Sequence, residues 1–391
     1  MQKKRNVSDN KTFTLRLTSL EDDDRPVFVA GNFNEWNPKH PDYEMSRKED
    51  NSFEITMDLT GWKKKKIKYK FTRGGWENVE IDRYGNITKN RKSNIKEGSA
   101  DEIVEKWRIN WAPFKDEFFP KVELVSEAFE MPQLNRSRKV WALLPHDYYE
   151  SDKSYPVLYL QDAQNLFNEG SEYGNWEIDK KLSILAEYGR GDIIIIAVEH
   201  GDENRLKEYI FGRNPLVKRG EGKKHIRFVT DTLKPYVDKK YRTLPEREHT
   251  GIGGSSLGGL ISIYGGFLYP EVYSKLMIFS PSLWAVPKIS FPMLQFFNPF
   301  QTKLYIYGGG REGSRMVAYI KEFVSRMQSE SKGSHAELEF KVSINPKGEH
   351  TEFYWSQEFP VALEWLFFDS RMDPVVIKAI KEQKNDIATN D

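Results

Sequence analysis

The chain lacks cysteine and has no excess of either charge: among its 391 residues, 59 lysines and arginines stand against 58 aspartates and glutamates. The absence of cysteine excludes disulfides, thiolate catalysis and cysteine-ligated zinc. Balanced charge provides no attractive field for nucleic acid or for an anionic membrane. No apolar run approaches membrane-spanning length, and no set of side chains has metal-ligand spacing. We therefore expect no metal or cofactor and neither nucleic acid nor a membrane as partner; the oligomeric state stays open.

The beginning of the chain is basic, but no hydrophobic segment follows it. A secretory signal peptide requires such a segment. The sequence as given therefore predicts a cytoplasmic location, and the periplasm or secretion is the alternative if a signal peptide was removed.

The apolar residues follow two different patterns along the chain. Over residues 11–90 they alternate with polar residues in short runs, which is typical of a small all-β, immunoglobulin-like sandwich. Over residues 121–375 they form continuous runs that alternate with helical patterns, which indicates an α/β domain with a mostly parallel, buried sheet. The short runs cover residues 12–17, 27–30, 53–59 and 67–71; the continuous runs cover 138–144, 156–160, 192–198 and 303–307; the helical patterns cover 176–188, 225–239, 314–327 and 359–368.

Polar stretches separate and end these two domains. Residues 91–120 begin with polar residues and then carry Trp107, Trp111 and Pro113, so we expect a linker that ends by docking on the second domain. Residues 376–391 are rich in charge and predict a flexible tail.

The segment Gly254-Ser255-Ser256-Leu257-Gly258 has the pattern G-x-S-x-G. A short segment that can form a strand precedes it, and an apolar run of helix length follows over residues 259–269. A strand, a sharp turn and a helix place a serine on a nucleophile elbow, where glycines permit the tight backbone. Ser256 is therefore the candidate nucleophile, and a plain glycine-rich loop is the alternative.

A serine hydroxyl needs a base to take its proton and an acid to orient that base. In folds with this elbow the acid and then a histidine follow the serine along the chain. His335 precedes the predicted strand 337–342, at the wrong edge of the sheet, because ligands bind outside the carboxyl ends of strands. His350 follows that strand and is the candidate base; a solvated loop histidine is the alternative.

The acid follows by elimination, because no aspartate lies between Ser256 and His350. Glu312 comes directly after the strand 303–307 and a glycine turn, so it is expected beside His350 at the carboxyl edge. Glu349 adjoins His350 and would normally point elsewhere. Glu312 is therefore the candidate acid, and a surface loop glutamate is the alternative.

An oxyanion hole requires two backbone N–H groups near the nucleophile. One is expected from Leu257, the residue after Ser256. The other is expected from the loop that follows the strand 156–160, at Gln164.

At this point the chain resembles the esterase family that includes esterase D, enterochelin esterase and bacterial feruloyl esterases. The resemblance implies an α/β-hydrolase fold and hydrolysis of carboxylic esters through an acyl-serine, and it supports the five residues chosen above. Ala163 stands where relatives usually carry glycine. The segments that carry the resemblance are 156–167 (PVLYLQDAQNLF), 205–209 (RLKEY), 252–260 (IGGSSLGGL), 269–273 (YPEVY), 279–284 (FSPSLW) and 348–350 (GEH).

The N-terminal domain is similar to glycogen- and starch-binding modules in its segments 27–38 (VFVAGNFNEWNP), 69–71 and 75–76. In those modules two tryptophans stack on glucose rings and a lysine hydrogen-bonds to a hydroxyl group. The resemblance implies these roles for Trp36, Trp76 and Lys70, and aromatic faces do suit the apolar face of a sugar. A structural cap in which Trp36 simply packs is the alternative.

The substrate is less well defined than the reaction. Trp284 and Trp176 are candidates for an aromatic pocket, with the hydrophobic core as the alternative. Arg205 and His200 could engage a carboxylate or a catechol, although Arg205 could equally form an ion pair with Glu208. An acylated glycan, such as a feruloyl or acetyl ester, is the first prediction and a siderophore tri-ester the second. The further alternatives are a non-catalytic glycan-binding protein and acyl transfer to a sugar or lipid.

Overall fold

The computed structural model describes residues 11–21, 23–48, 51–286, 289, 300–332 and 336–368. These residues divide into two compact units, with the boundary between Phe114 and Lys115. His335 and the predicted flexible tail over residues 376–391 lie outside the described residues. Within the described part of the chain, no helix combines the length and apolar character needed to cross a membrane.

The first unit is built from short strands in two main sheets. The sheet β3-β4-β1-β8 and the sheet β2-β5-β7 contribute inward side chains to one core, which includes Leu15, Phe53 and Phe71. Because both sheets bury side chains in the same core, the unit is a β-sandwich. Its strands are β1 (Thr12–Ser19), β2 (Phe28–Gly31), β3 (Ser46–Arg47), β4 (Ser52–Asp58), β5 (Lys66–Thr72), β6 (Glu80–Ile81), β7 (Arg91–Asn94), β8 (Ser99–Val104) and β9 (Lys106–Trp107).

The predicted linker over residues 91–120 does not match the structure. Strands β7, β8 and β9 fall within it and pair with β5, β1 and β6 of the sandwich. Trp107 is 1% exposed, and its indole Nε1 donates a hydrogen bond to Ser19 Oγ at 2.9 Å. The polar composition misled the prediction because these strands bury few apolar side chains, so the sandwich extends beyond residue 90.

The second unit is organised around an eight-stranded sheet of order β10-β11-β13-β12-β16-β17-β18-β19. The first two strands run antiparallel to their neighbours, and the strands from β13 to β19 are parallel. The strands of this unit are β10 (Lys121–Met131), β11 (Arg136–Leu144), β12 (Val157–Gln161), β13 (Ile194–Val198), β14 (Arg213–Asn214), β15 (Lys218–Arg219), β16 (Thr250–Ser255), β17 (Lys275–Phe279), β18 (Phe300–Gly309) and β19 (Ala336–Asn345).

Helices cover both faces of this sheet. A Cβ atom added at Gly251 of β16 would lie 2.7 Å from Phe367, the last residue of the helix Glu352–Phe367. The next residue, Ile252, instead lies against Gly265 of the helix Leu257–Leu268. Successive strand residues point to opposite faces, so these two helices lie on opposite sides of the sheet. The helices are α1 (Ile178–Glu187), α2 (Arg205–Tyr209), α3 (Gly222–Phe228), α4 (Lys234–Lys240), α5 (Leu257–Leu268), α6 (Met316–Glu330) and α7 (Glu352–Phe367), with a π-helical turn at Val229–Leu233.

Burial on both faces explains the continuous apolar runs of the sequence. Every residue of β12 and of β13 is buried. The predicted α/β-hydrolase fold, preceded by a β-sandwich, is confirmed.

His225, on α3, is buried next to the carboxyl end of β12. Its side chain is 1% exposed, and its Nε2 forms a hydrogen bond with Gln161 Oε1 at 2.8 Å. Burial lowers the pKa of His225 to about 3, an effect that Arg138 strengthens and Asp162 opposes. This pKa lies below the usual value of about 6.5, so protons bind preferentially to the unfolded chain. The contribution of His225 to the free energy of unfolding is therefore complete above about pH 6.5 and is lost as the pH falls toward 3.

We predict that His225→Gln removes this acid sensitivity. Between pH 7 and pH 5 the wild type should lose about 2 kcal/mol more unfolding free energy than the variant, because glutamine has no proton to gain. Urea unfolding at each pH, followed by tryptophan fluorescence, measures the difference. His249→Gln, at an exposed position, is the matched control and should behave as wild type. Parallel pH curves for wild type and His225→Gln would contradict the prediction.

Candidate active site

Ser256 stands at a sharp turn between strand β16 and helix α5. Its backbone has φ 55° and ψ −120°, a conformation that non-glycine residues rarely adopt. A Cβ atom at Gly254 would lie 2.9 Å from the Gly258 carbonyl carbon, and one at Gly258 would lie 2.8 Å from Asp162 Oδ2. The two glycines of the motif are therefore required by close packing around the turn.

Hydrogen bonds hold this turn in place. The Ser256 amide donates to the Phe279 carbonyl at 2.9 Å, and the Ser282 amide donates to the Ser256 carbonyl at 3.0 Å. The two hydroxyls of Ser256 and Ser282 lie 3.2 Å apart. Sequence reasoning did not single out Ser282, although it lies in the segment FSPSLW that carries part of the family resemblance.

The candidate acid and base are in direct contact. His350 Nδ1 lies 2.8 Å from Glu312 Oε2, and the Glu312 side chain is fully buried. Glu312 Oε1 accepts hydrogen bonds from Ser280 Oγ at 2.7 Å and from the Gly309 amide at 2.5 Å. Because Nδ1 faces the carboxylate, the second ring nitrogen of His350 remains for a reacting group.

A tryptophan supports this pair from the first turn of α7. Trp355 Nε1 donates to Ser280 Oγ at 2.9 Å, and Ser280 in turn donates to Glu312. The Trp355 and His350 rings meet edge to face, with centroids 4.9 Å apart. Sequence reasoning missed both Ser280 and Trp355, since nothing in their local pattern indicates contact with residue 312.

Ser256 and His350 line one cavity of about 590 Å³. The lining residues lie at the end of β16 or in the loops and first helical turns that follow β12, β13, β16 and β19, so the cavity lies at the carboxyl edge of the parallel strands. They are Asn165, Glu172, Tyr173, His200, Asp202, Arg205, Ser255, Ser256, His350, Thr351, Glu352 and Trp355. Among the described residues, no group of histidines and carboxylates is arranged to hold a metal ion.

The two residues predicted for the oxyanion hole flank this edge. Leu257 is the first residue of α5, where backbone N–H groups have no partner within the helix. Gln164 lies in the turn after β12, and its side chain accepts from the His200 amide at 3.0 Å and donates to the His200 carbonyl at 3.2 Å. The donor roles of both backbone amides remain predictions.

Arg205 and His200 both line the cavity, but the partner considered for Arg205 is different in the structure. The Arg205 guanidinium forms two hydrogen bonds with the Asp162 carboxylate, at 2.7 and 2.9 Å. Glu208 instead pairs with Arg136 and Arg138. Arg205 is three residues before Glu208 on a short helix, and their side chains reach different neighbours.

The two tryptophans predicted to bind substrate have different environments. Trp176 is 1% exposed and stacks on Phe279 at a centroid distance of 5.1 Å, so it belongs to the core rather than to the cavity surface. The Trp176 and Trp355 ring centroids are 5.9 Å apart, so the two rings pack against each other. Trp284 is 51% exposed in a turn after β17, and its substrate role remains a prediction.

In the first unit, Trp36 and Trp76 form a partly exposed pair with ring centroids 6.4 Å apart. Lys70 is not available to a sugar in the way that the resemblance implied. Its side chain is buried, and its ammonium group donates to Thr88 O at 2.6 Å and to Thr88 Oγ1 at 2.7 Å. Its neighbours along β5, Tyr69 and Phe71, are also buried.

A serine on such a turn and a contacting pair of glutamate and histidine at the carboxyl edge of a parallel sheet are the arrangement found in an α/β-hydrolase. The family model described as "Putative esterase" matches residues 131–366, which is more than half of the chain. The chain belongs to this esterase family and is a carboxylesterase.

Individual relatives are distant. Protein YbbA of Bacillus subtilis is 24% identical over 245 residues, which cover 60% of this chain and 94% of YbbA. The amylopullulanase of Thermoanaerobacter thermohydrosulfuricus is 35% identical over 216 residues, which cover 51% of this chain but 14% of that protein. Among solved structures, the enterobactin esterase of Shigella flexneri is 15% identical with a TM-score of 0.48, and the match covers 88% of each chain.

We predict that Glu312→Gln lowers kcat for p-nitrophenyl acetate by about a thousandfold. A glutamine amide can donate to His350 Nδ1 and so favour the tautomer whose other nitrogen carries a proton and cannot accept one. Glu349→Gln is the control, because Glu349 is exposed and its partner is Arg311 rather than His350, with Glu349 Oε1 3.6 Å from Arg311 Nη1. It should retain wild-type turnover. A Glu312→Gln enzyme within about tenfold of wild type would exclude Glu312 as the orienting acid.

Proposed function

We propose that the protein hydrolyses the esters of acylated glycans through an acyl-enzyme on Ser256. In this mechanism the Ser256 oxygen attacks the ester carbonyl while the free nitrogen of His350 takes its proton. His350 then delivers the proton to the leaving alcohol, and water repeats the sequence to release the acid. The observation that carries the proposal is the contact between Glu312 and His350 on the cavity that Ser256 also lines.

The negative charge that develops on the carbonyl oxygen needs donors fixed in advance. We assign this role to the backbone amides of Leu257 and Gln164. The position of Leu257 at the start of α5 supports the assignment, because the N-terminus of a helix favours negative charge. The two hydrogen bonds between the Gln164 side chain and the His200 backbone would hold the Gln164 amide in place as the second donor.

The charges of the cavity favour a neutral substrate. Glu172, Asp202 and Glu352 line it, whereas the Arg205 charge is offset by its pairing with Asp162. An anionic ligand, such as a ferric tris-catecholate, would be repelled by this arrangement. A glycan ester is neutral and rich in hydroxyl groups. The partial similarity to an amylopullulanase adds modest support for a glycan context.

We predict that Ser256→Ala abolishes the turnover of p-nitrophenyl acetate, with a loss of at least about a thousandfold. A fluorophosphonate probe should label wild type at Ser256 and leave the variant unlabelled, because only an activated serine attacks the phosphorus. Ser325→Ala, on the exposed face of α6, is the matched control and should retain both properties. Equal turnover by wild type and Ser256→Ala would instead favour a non-catalytic glycan-binding protein.

The substrate class is tested with methyl ferulate, acetylated xylan and a catecholate siderophore. Hydrolysis of either of the first two supports the glycan assignment, and exclusive hydrolysis of the siderophore contradicts it. Analysis of the products with an added acceptor alcohol separates hydrolysis from acyl transfer.

We further propose that Trp36 and Trp76 stack on sugar rings without help from Lys70. Their partial exposure and their mutual tilt of 39° leave ring faces available to a ligand. We predict that Trp36→Ala and Trp76→Ala each weaken binding to soluble starch about threefold to tenfold. Affinity electrophoresis measures the change, with Trp111→Ala, at a 61% exposed residue of the same unit, as control. If Trp36→Ala and Trp76→Ala both migrate like wild type, the pair has no role in binding.

A further inference from the structure

One carboxylate of the cavity differs from the other two in its burial. Glu172 and Asp202 are exposed, whereas Glu352 is 7% exposed although it lines the same cavity. Glu352 begins helix α7, two residues after His350. Burying a carboxylate is unfavourable unless hydrogen-bond donors replace water. Its partners therefore decide what this residue can do.

The donors found for Glu352 leave part of its acceptor capacity unused. Its Oε1 accepts from Asn165 Nδ2 at 3.1 Å, and among the described residues this is its side-chain partner. Burial raises the pKa of the Glu352 carboxyl, and its own backbone amide, His350 and Asn165 partly oppose the shift. A carboxylate has about four acceptor positions. A ligand in the cavity can therefore still donate hydrogen bonds to it.

The surroundings of Glu352 hold it in a fixed position. Asn165 is itself fixed, because its Oδ1 accepts from Ser171 Oγ at 2.6 Å. The loop that begins at Ser171 folds against α7, so that a Cβ atom at Gly174 would lie 3.0 Å from the Glu352 Cβ. The same loop carries Tyr173, which is 67% exposed on the cavity. A prearranged acceptor of this kind selects among ligands. A ligand without a donor displaces water from the carboxylate and gives it no hydrogen bond in return, so that ligand binds less well.

A purely structural role explains less of this arrangement. An acidic residue in the first turn stabilises a helix through its dipole. That effect works on the protein surface and requires neither burial nor a place in the cavity lining. The proximity to His350 is more informative, because His350 would return its proton to the departing alcohol in the proposed function.

We propose that Glu352 determines specificity by accepting a hydrogen bond from a hydroxyl group on the alcohol portion of the ester, close to the scissile bond. The inference rests on the proposed function and adds to it a named residue that recognises polyhydroxylated alcohols. Asn165 acts as a positioning residue, because it holds one oxygen of the carboxylate.

The experiment compares two butyrate esters that differ in two hydroxyl groups, propyl butyrate and 2,3-dihydroxypropyl butyrate. A pH-stat measures kcat and KM for each. Wild type should prefer the dihydroxypropyl ester by about tenfold in kcat/KM, as expected for a hydrogen bond to a charged group. In Glu352→Gln this preference should fall to about twofold or less, mainly through the KM of the dihydroxypropyl ester, because the neutral amide is a weaker acceptor.

Glu349→Gln is the matched control, with the same chemical change on the other side of His350 and outside the cavity lining. It should keep the wild-type preference. Thermal unfolding shows whether Glu352→Gln folds. If it does not, Glu352→Asp, which keeps the charge but shortens its reach, takes its place and should also lower the preference.

The outcomes separate this inference from the proposed function. Equal use of the two esters by wild type, or an equal loss of both in Glu352→Gln, would overturn the role of Glu352 and leave the esterase mechanism standing. Turnover of p-nitrophenyl acetate with both butyrates inert would also overturn it. Failure of wild type on every ester would instead refute the proposed function itself.

Discussion

The hydrogen bond between the buried Glu312 carboxylate and His350 Nδ1 is the contact on which the site depends. It joins the loops after β18 and β19, two neighbouring parallel strands whose ends meet at the same edge of the sheet. A fully buried carboxylate is tolerated only with donors around it. Ser280, the Gly309 amide and His350 supply them, so the surroundings that stabilise the Glu312 carboxylate also hold the His350 ring in position.

Ser256, the candidate nucleophile, is placed by a different constraint, which is the lack of space around its turn. Gly254 and Gly258 permit an approach that a Cβ atom would prevent, and Ser256 is left in a strained conformation at the end of β16. Because β16 and β19 both end at the carboxyl edge, the serine and the histidine line one cavity although 94 positions separate them in the chain. Two independent packing arrangements therefore converge on the same cavity.

The apolar runs and the expected position of Glu312 beside His350 agreed with the structure, whereas the linker and the partner considered for Arg205 did not. Continuous apolar runs correctly predicted the strands at β12 and β13, because burial on both faces leaves a signal in the sequence itself. The linker prediction failed at residues 91–107, where strands of the sandwich carry mostly polar side chains. Glu208 was considered for Arg205, which binds Asp162 instead, 43 positions away. Sequence spacing carries no information about such pairs.

By itself, the amino-acid sequence determined the two-part organisation, the α/β class of the larger unit and the strand–turn–helix around Ser256, since each depends on a periodicity or on glycines within about a dozen residues. It also indicated Glu312 and His350 as candidate acid and base, because they follow Ser256 along the chain in the expected order. Only the tertiary structure decided that Glu312 reaches His350, that Ser280 and Trp355 support them, that Trp176 and Lys70 are buried, and that Glu352 lines the cavity. These facts depend on how distant loops meet at one edge of a sheet, and no local pattern records that.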